Sequence, residues 1–140
     1  MTADLFADST EQLDEGAVLL RGFADETAPA LLAGISAVAE AAPFRHLVTP
    51  GGFRMSVAMT NCGAYGWVSD RRGYRYDAID PESGLAWPGM PVAFLELGRA
   101  AALAAGYTRF APDVCLINRY TPGTRLTLHQ DRDEGDFAHP

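Results

Sequence analysis

Between Leu116 and Asp131 the chain has to reverse. Leu116-Ile117-Asn118-Arg119-Tyr120 runs into Pro122-Gly123 and out again through Leu126-Thr127-Leu128-His129-Gln130-Asp131. Proline presets one turn dihedral and glycine accepts the positive φ that other residues avoid, so this pair predicts a tight turn joining two extended runs. Side chains alternate along an extended strand, which sends His129 and Asp131 to one side and Gln130 to the other. An imidazole and a carboxylate then converge on one point. They make up two thirds of a 2-His-1-carboxylate site, the facial set that holds non-haem Fe(II) and leaves positions open. The only later histidine, His139, lies too near the pair to serve as the third ligand. Taken alone the triplet has a plainer reading, a hydrogen-bonded histidine at the surface.

The context favours the metal. Leu116, Asn118 and Tyr120 fall on one face of the first run, so an amide and a phenol look the same way as an aliphatic side chain. Both polar groups can donate to a carboxylate, and the turn brings the His129 segment back beside them. An organic acid bridging a metal and these donors fits that arrangement. Other catalytic plans find no support, because the chain has neither a Gly-x-Ser-x-Gly elbow nor a Gly-x-x-x-x-Gly-Lys loop. Cys115 has no histidine partner and points away from the Asn118 face. Cys62 and Cys115 lack metal-type spacing and read as buried free thiols rather than a disulfide.

Upstream, a helix is expected to open at Asp25 as N-cap, with Pro29 in its first turn and Leu31, Ile35 and Val38 at helical spacing, and to stop near Ala42 before Pro43. Thr49-Pro50-Gly51-Gly52 reads as a turn. Phe53 to Asn61 alternates apolar and polar residues with the period of a half-buried strand, which puts Met55 and Met59 toward the core. Cys62 to Pro91 holds no lasting period and is the expected binding segment. A second helix is predicted from Pro91 to Ala105, with Phe94, Leu97, Ala101 and Ala105 on one face and Gly106 as its stop.

One ordinary domain accounts for 140 residues, and an apolar fraction of 48% supplies a core. No apolar stretch approaches the roughly 18 residues of a membrane span, so the chain reads as soluble, cytoplasmic and free of membrane contact. A formal charge of −7 argues against a general nucleic-acid coat. Arg71, Arg72 and Arg75 are nevertheless interleaved with Tyr74 and Tyr76 just after Trp67. That cluster suits a phosphate backbone beside a stacked base, or else a solvated loop whose aromatics pack on the domain beneath.

Ordered blocks through the chain carry a resemblance. Asp4-Leu5-Phe6-Ala7-Asp8, Val48-Thr49-Pro50-Gly51-Gly52, Met55-Ser56-Val57-Ala58-Met59-Thr60-Asn61-Cys62-Gly63, Ala78-Ile79-Asp80-Pro81, Leu116-Ile117-Asn118-Arg119-Tyr120 and His129-Gln130-Asp131 closely resemble the bacterial AlkB family of Fe(II)- and 2-oxoglutarate-dependent nucleic-acid dealkylases. The resemblance implies a mainly β, α+β fold: a double-stranded β-helix, or jelly roll, with an N-terminal nucleotide-recognition lid. Residues 1–140 would form a single domain, with the extension and lid at about 1–90 and the start of the jelly-roll core at about 91–140. Its second half, with the distal histidine and the arginines for 2-oxoglutarate, is expected to be missing from this chain, leaving these residues alone inactive.

By the same resemblance His129 and Asp131 would hold Fe(II). Asn118 and Tyr120 would bind 2-oxoglutarate with Leu116 beside them, and O2 would complete the reaction. Trp67 would stack on the flipped base, Tyr74 would reach a phosphate and Met59 would contact the substrate. Asp133 would read the damaged base, while Thr49 and Arg132 would lie near the nucleic-acid backbone. The implied activity is oxidative demethylation of 1-methyladenine and 3-methylcytosine in single- or double-stranded DNA, with RNA a further substrate, by a monomer. Two other functions compete. One is a non-catalytic homologue that binds alkylated strands. The other keeps the iron chemistry for a small molecule or protein, against which the Trp67, Tyr74 and Asp133 set argues.

Overall fold

A computed structural model describes residues 10–131. Among them six strands and two helices follow the order β1 (Thr10–Asp14), β2 (Ala17–Leu20), α1 (Ala28–Ala41), β3 (Ala58–Gly63), β4 (Gly66–Asp70), β5 (Gly73–Asp77), α2 (Val92–Ala104) and β6 (Val114–Arg119). The strands form three antiparallel pairs, β1 with β2, β3 with β6 and β4 with β5. Among the described residues no helix is long and apolar enough to cross a membrane.

Both helices lie where their punctuation puts them. α1 carries proline in its first turn and ends at Ala42, one residue before Pro43. Its N-cap is Thr27 rather than Asp25, and Thr27 makes no side-chain cap bond. The Asp25 expectation fails because Asp25 is spent in a preceding turn, with its N–H donated to the Gly22 carbonyl and its own carbonyl accepting from Ala28. α2 begins after Pro91, whose missing N–H costs nothing at a helix start. It ends where Gly106 takes φ +98°. The helices meet at Gly34, where a β-carbon would press into Phe94 and Pro91.

β3 corrects the strand expected over Phe53–Asn61. The ladder starts only at Ala58, runs to Gly63 and is buried on both faces. Phe53, assigned to the buried face, is 76% exposed. Alternation misleads here because both faces of β3 are covered and its polar residues are paired inside. The Thr60 hydroxyl donates to the Ala42 carbonyl at 2.6 Å, tying the strand to the end of α1. On the other face the Asn61 amide accepts from the Trp67 N–H and donates to the Trp67 carbonyl, each at 3.0 Å. One side chain thus supplies the two bonds that a neighbouring strand would make, and fastens β4 to β3.

One hairpin lies in the Cys62–Pro91 segment where no lasting period is visible, and a second lies near the start of the described residues. β4 and β5 pair from Gly66 with Asp77 to Asp70 with Gly73, which reverses the chain at Arg71-Arg72. β1 and β2 pair across Glu15-Gly16, with Gly16 at φ +73°. The buried core joins Val38 and Ala42 of α1 and its cap, Val57 to Met59 and Cys62 around β3, Val68 of β4, and Trp87. Trp87 lies flat against Gly66, where any β-carbon would fall inside the indole, and donates Nε1–H to the Asp77 carbonyl at 2.9 Å.

The second run of the terminal reversal is not a strand. Thr124 closes the turn by hydrogen bonds with Thr121, and Gly123 sits at φ +87° as the sequence requires. Residues 125–131 then stay outside any ladder, with Leu128 fully exposed. An extended segment gains strand structure only from a neighbour that pairs with it, and among the described residues none does.

Candidate metal and nucleotide site

The β3–β6 register decides which candidate residues share a face. Met59 lies opposite Asn118 and Asn61 opposite Leu116, and directly paired residues project to the same side. Met59, Asn61, Leu116 and Asn118 therefore line one face of this pair, with the Trp67 backbone anchored to Asn61 on it. Ile117, Cys115 and Arg119 belong to the other face, where the Arg119 guanidinium lies over Phe44 at 4.3 Å from the ring centroid. Met59 is buried and Leu116 is exposed. Tyr120 follows just past the end of β6 and is half-exposed.

The Asn118 amide is the least satisfied group on that face. Its Oδ1 is buried and has no hydrogen-bond partner among the described residues. Buried amide atoms are almost always paired, so this position suits a water or a ligand group. The two ends of an amide are nearly the same shape, and a half-turn would present the NH2 there instead. A carboxylate would accept from it, which is the donor chemistry that 2-oxoglutarate needs.

His129 and Asp131 converge although no strand holds them, with His129 Nε2 at 3.4 Å from Asp131 Oδ1. His129 Nδ1 lies 2.8 Å from the Thr127 carbonyl. A carbonyl only accepts, so Nδ1–H donates to it, and this turns Nε2 toward the carboxylate. Metal-bound histidines are held in the same way, with the far ring nitrogen donating to a carbonyl. An imidazole nitrogen and a carboxylate oxygen suit Fe(II). Both side chains are well exposed, and no group of three or more metal-ligating residues occurs among the described residues.

Trp67 and Tyr74 stack on one another, with ring centroids 5.5 Å apart and planes inclined by 15°. Tyr74 covers one face of the indole and is itself 46% exposed. Thr49 sits in the expected turn, where its hydroxyl accepts from the Phe53 N–H at 3.1 Å and its carbonyl from the Gly52 N–H at 2.8 Å. Ser69 donates its hydroxyl to the Val48 carbonyl at 2.7 Å, which fixes this turn beside β4. Asp133, Arg132 and His139 lie outside the described residues.

Asn61 was quoted above only as part of a motif, yet it positions Trp67. The signal was an amide at position 61, which falls on the same face as Phe53, Met55, Val57 and Met59, the apolar odd-numbered residues of the run. The Arg45–Asp80 pair also escaped sequence reading. Arg45 spans both Asp80 oxygens at 2.5 and 2.9 Å, donates Nε–H to the Pro43 carbonyl at 2.9 Å and lies over Trp87 at 5.2 Å.

Comparison with known proteins bears on this arrangement. The profile of the 2OG-Fe(II) oxygenase superfamily matches residues 16–140. Alpha-ketoglutarate-dependent dioxygenase AlkB of Salmonella typhimurium LT2 is 56% identical over 140 residues, 98% of this chain and 65% of that protein. The AlkB of Escherichia coli K12 is 55% identical over the same shares. An AlkB homolog of Caulobacter vibrioides NA1000 is 49% identical over 111 residues, 79% of this chain and 49% of its own length. The chain thus spans just under two thirds of the length of the AlkB proteins it matches over nearly its whole extent. A match that takes in both the Asn118 face and the His129–Asp131 pair places this chain in the 2OG-Fe(II) oxygenase superfamily, among proteins of the AlkB kind.

Proposed function

We propose that the protein carrying this chain removes N-alkyl groups from nucleic-acid bases by Fe(II)- and 2-oxoglutarate-dependent oxidation. Its substrates are 1-methyladenine and 3-methylcytosine in single- or double-stranded DNA, and RNA as well. The observation that carries this reading is the His129–Asp131 pair, with Nδ1–H donating to the Thr127 carbonyl and Nε2 turned to the carboxylate. When bound, iron, 2-oxoglutarate and O2 supply the oxidation itself. Residues of the chain hold, orient and select.

His129 and Asp131 hold the metal. Asn118 and Tyr120 donate to 2-oxoglutarate beside Leu116. Trp67 stacks on the extruded base and Met59 contacts it, while Tyr74, Thr49 and Arg132 hold the backbone. A carboxylate at Asp133 favours a ring made cationic by N-alkylation. Extruding a base costs a few kcal/mol, least where alkylation has already weakened pairing. Residues 1–90 act as the lid and 91–140 open a jelly-roll core, in a cytoplasmic monomer.

Mn(II) titration and succinate release test this reading. His129→Ala and Asp131→Ala should each abolish tight Mn(II) binding and succinate release, and unchanged affinity would overturn the assignment. Trp67→Ala should leave Mn(II) affinity intact and slow turnover of a methylated oligonucleotide by roughly 5- to 150-fold, the loss of about 1–3 kcal/mol of stacking. A non-catalytic homologue would bind alkylated strands and release no succinate.

A further inference from the structure

The three arginines of the β4–β5 hairpin are not equivalent. Arg75 grips Asp70 through both of its terminal nitrogens at 3.0 Å and reaches Asp77 at 3.5 Å. Arg72 donates its backbone N–H to Asp70 at 2.8 Å and its guanidinium to the same carboxylate at 3.4 Å. The hydrogen bond from Arg75, followed by that from the Arg72 N–H, holds the Asp70 carboxyl well below the usual carboxylate range. Two cations here face two anions and cancel locally.

Arg71 has no such partner. It stands exposed at the tip of the hairpin, and no carboxylate of the described residues lies within ion-pair distance of it. Its guanidinium instead overlies the neighbouring turn, with Nη2 at 3.7 Å from the place of a Gly52 β-carbon. The Ser69 bond to the Val48 carbonyl fixes the start of that turn beside β4. One edge of the molecule therefore presents an uncompensated guanidinium, the Thr49–Gly52 turn and the open ring of Phe53. Tyr74 stands exposed at the start of β5, stacked on Trp67.

An exposed guanidinium without a carboxylate partner, on an edge that also exposes Phe53 and Tyr74, fits a polyanion carrying flat rings. Guanidinium matches a phosphate through two parallel hydrogen bonds. We infer that Arg71 is a further phosphate contact for a single nucleic-acid strand running along this edge, and that Arg72 and Arg75 are structural and make no such contact. The inference rests on the nucleic-acid substrate proposed above and names a further residue that grips it.

Fluorescence anisotropy with an unmodified single-stranded oligonucleotide, between 50 and 200 mM salt, tests it. Arg71→Ala should weaken binding several-fold at the lower salt and make the log–log salt slope shallower by about 0.7, the loss of one phosphate contact on a single strand. Arg71→Lys should keep the slope, since the charge remains. Arg72→Ala should stay within about twofold of the parent protein, as its charge is already spent on Asp70. An unchanged slope in Arg71→Ala, with the parent binding normally, would overturn the Arg71 assignment alone. An equal loss in Arg72→Ala would overturn the division between the arginines. A parent protein with no salt-dependent affinity for the strand would sink the nucleic-acid reading itself.

Discussion

Arg45 and Asp80 form the pair on which single residues matter most to stability. Asp80 is 1% exposed and Arg45 8%. Burial pushes the Asp80 carboxyl up, but the Arg45 hydrogen bond, the Glu82 backbone N–H and the Arg45 charge outweigh it and leave it below the usual carboxylate range. A carboxyl depressed in the folded state binds fewer protons there than in the unfolded chain. Its contribution to stability is therefore present above the unfolded value, about 3.9, and lost as pH falls through the folded one. Arg45→Met strands a buried carboxylate and should destabilise the protein by about 3–5 kcal/mol in urea unfolding at neutral pH. It should also shrink the loss of stability on acidification below pH 4. A variant that kept the parent's acid profile would show that the pair does not carry that dependence. Neither residue announces this in the sequence, where an arginine between Phe44 and His46 and an aspartate before a proline look like surface and turn.

At the scale of elements, the β3–β6 ladder determines the chemistry of the two cysteines. Met59 exchanges both backbone bonds with Arg45, and Gly63 donates its N–H to Pro88, so these residues turn their backbone groups away from β6. Cys62, at the alternate position, turns its groups toward Cys115, its register partner. A directly hydrogen-bonded pair keeps its Cα atoms about 5.5 Å apart with the side chains splayed, whereas a disulfide needs its β-carbons near 3.8 Å. Both cysteines are free. The neighbouring Cys62 thiol lowers the Cys115 thiol to about 7, and the same neighbour together with burial pushes Cys62 well up. Iodoacetamide should therefore modify Cys115 first, with a rate that rises through pH 7, and mild oxidation should not remove the 2 Da that an internal disulfide would. Preferential modification of Cys62 would show that the proton is assigned to the wrong partner. The sequence showed two thiols without a metal pattern, but not that they face one another, because register follows from pairing and not from spacing.

At the scale of the whole molecule, the three two-stranded sheets of the described residues are each too small to stand alone, and single side chains such as Asn61 fasten neighbouring sheets together. Asn61 is the clearest of these. Asn61→Leu would leave the Trp67 N–H and carbonyl without partners, at about 1–3 kcal/mol each. It should lower the urea midpoint and weaken the near-ultraviolet circular dichroism of the Trp67–Tyr74 stack, while Mn(II) binding at His129 and Asp131 persists. Loss of metal binding in step with the aromatic signal would mean that the two sites are one structural unit. Both helices could be placed from the sequence because proline and glycine act locally, through a missing donor and a permitted φ, wherever they stand. The His129–Asp131 pair and the shared side of Leu116 and Asn118 were legible for the same reason, since near neighbours on one chain have few ways to be arranged. Tertiary structure alone decided that β3 is covered on both faces, that Asn61 fastens the Trp67 strand, and that Asp70 pairs with Arg72 and Arg75 and not with Arg71. Those outcomes depend on partners brought together by folding and on hydrogen bonds that offset burial, and no periodicity along the chain encodes which partner arrives.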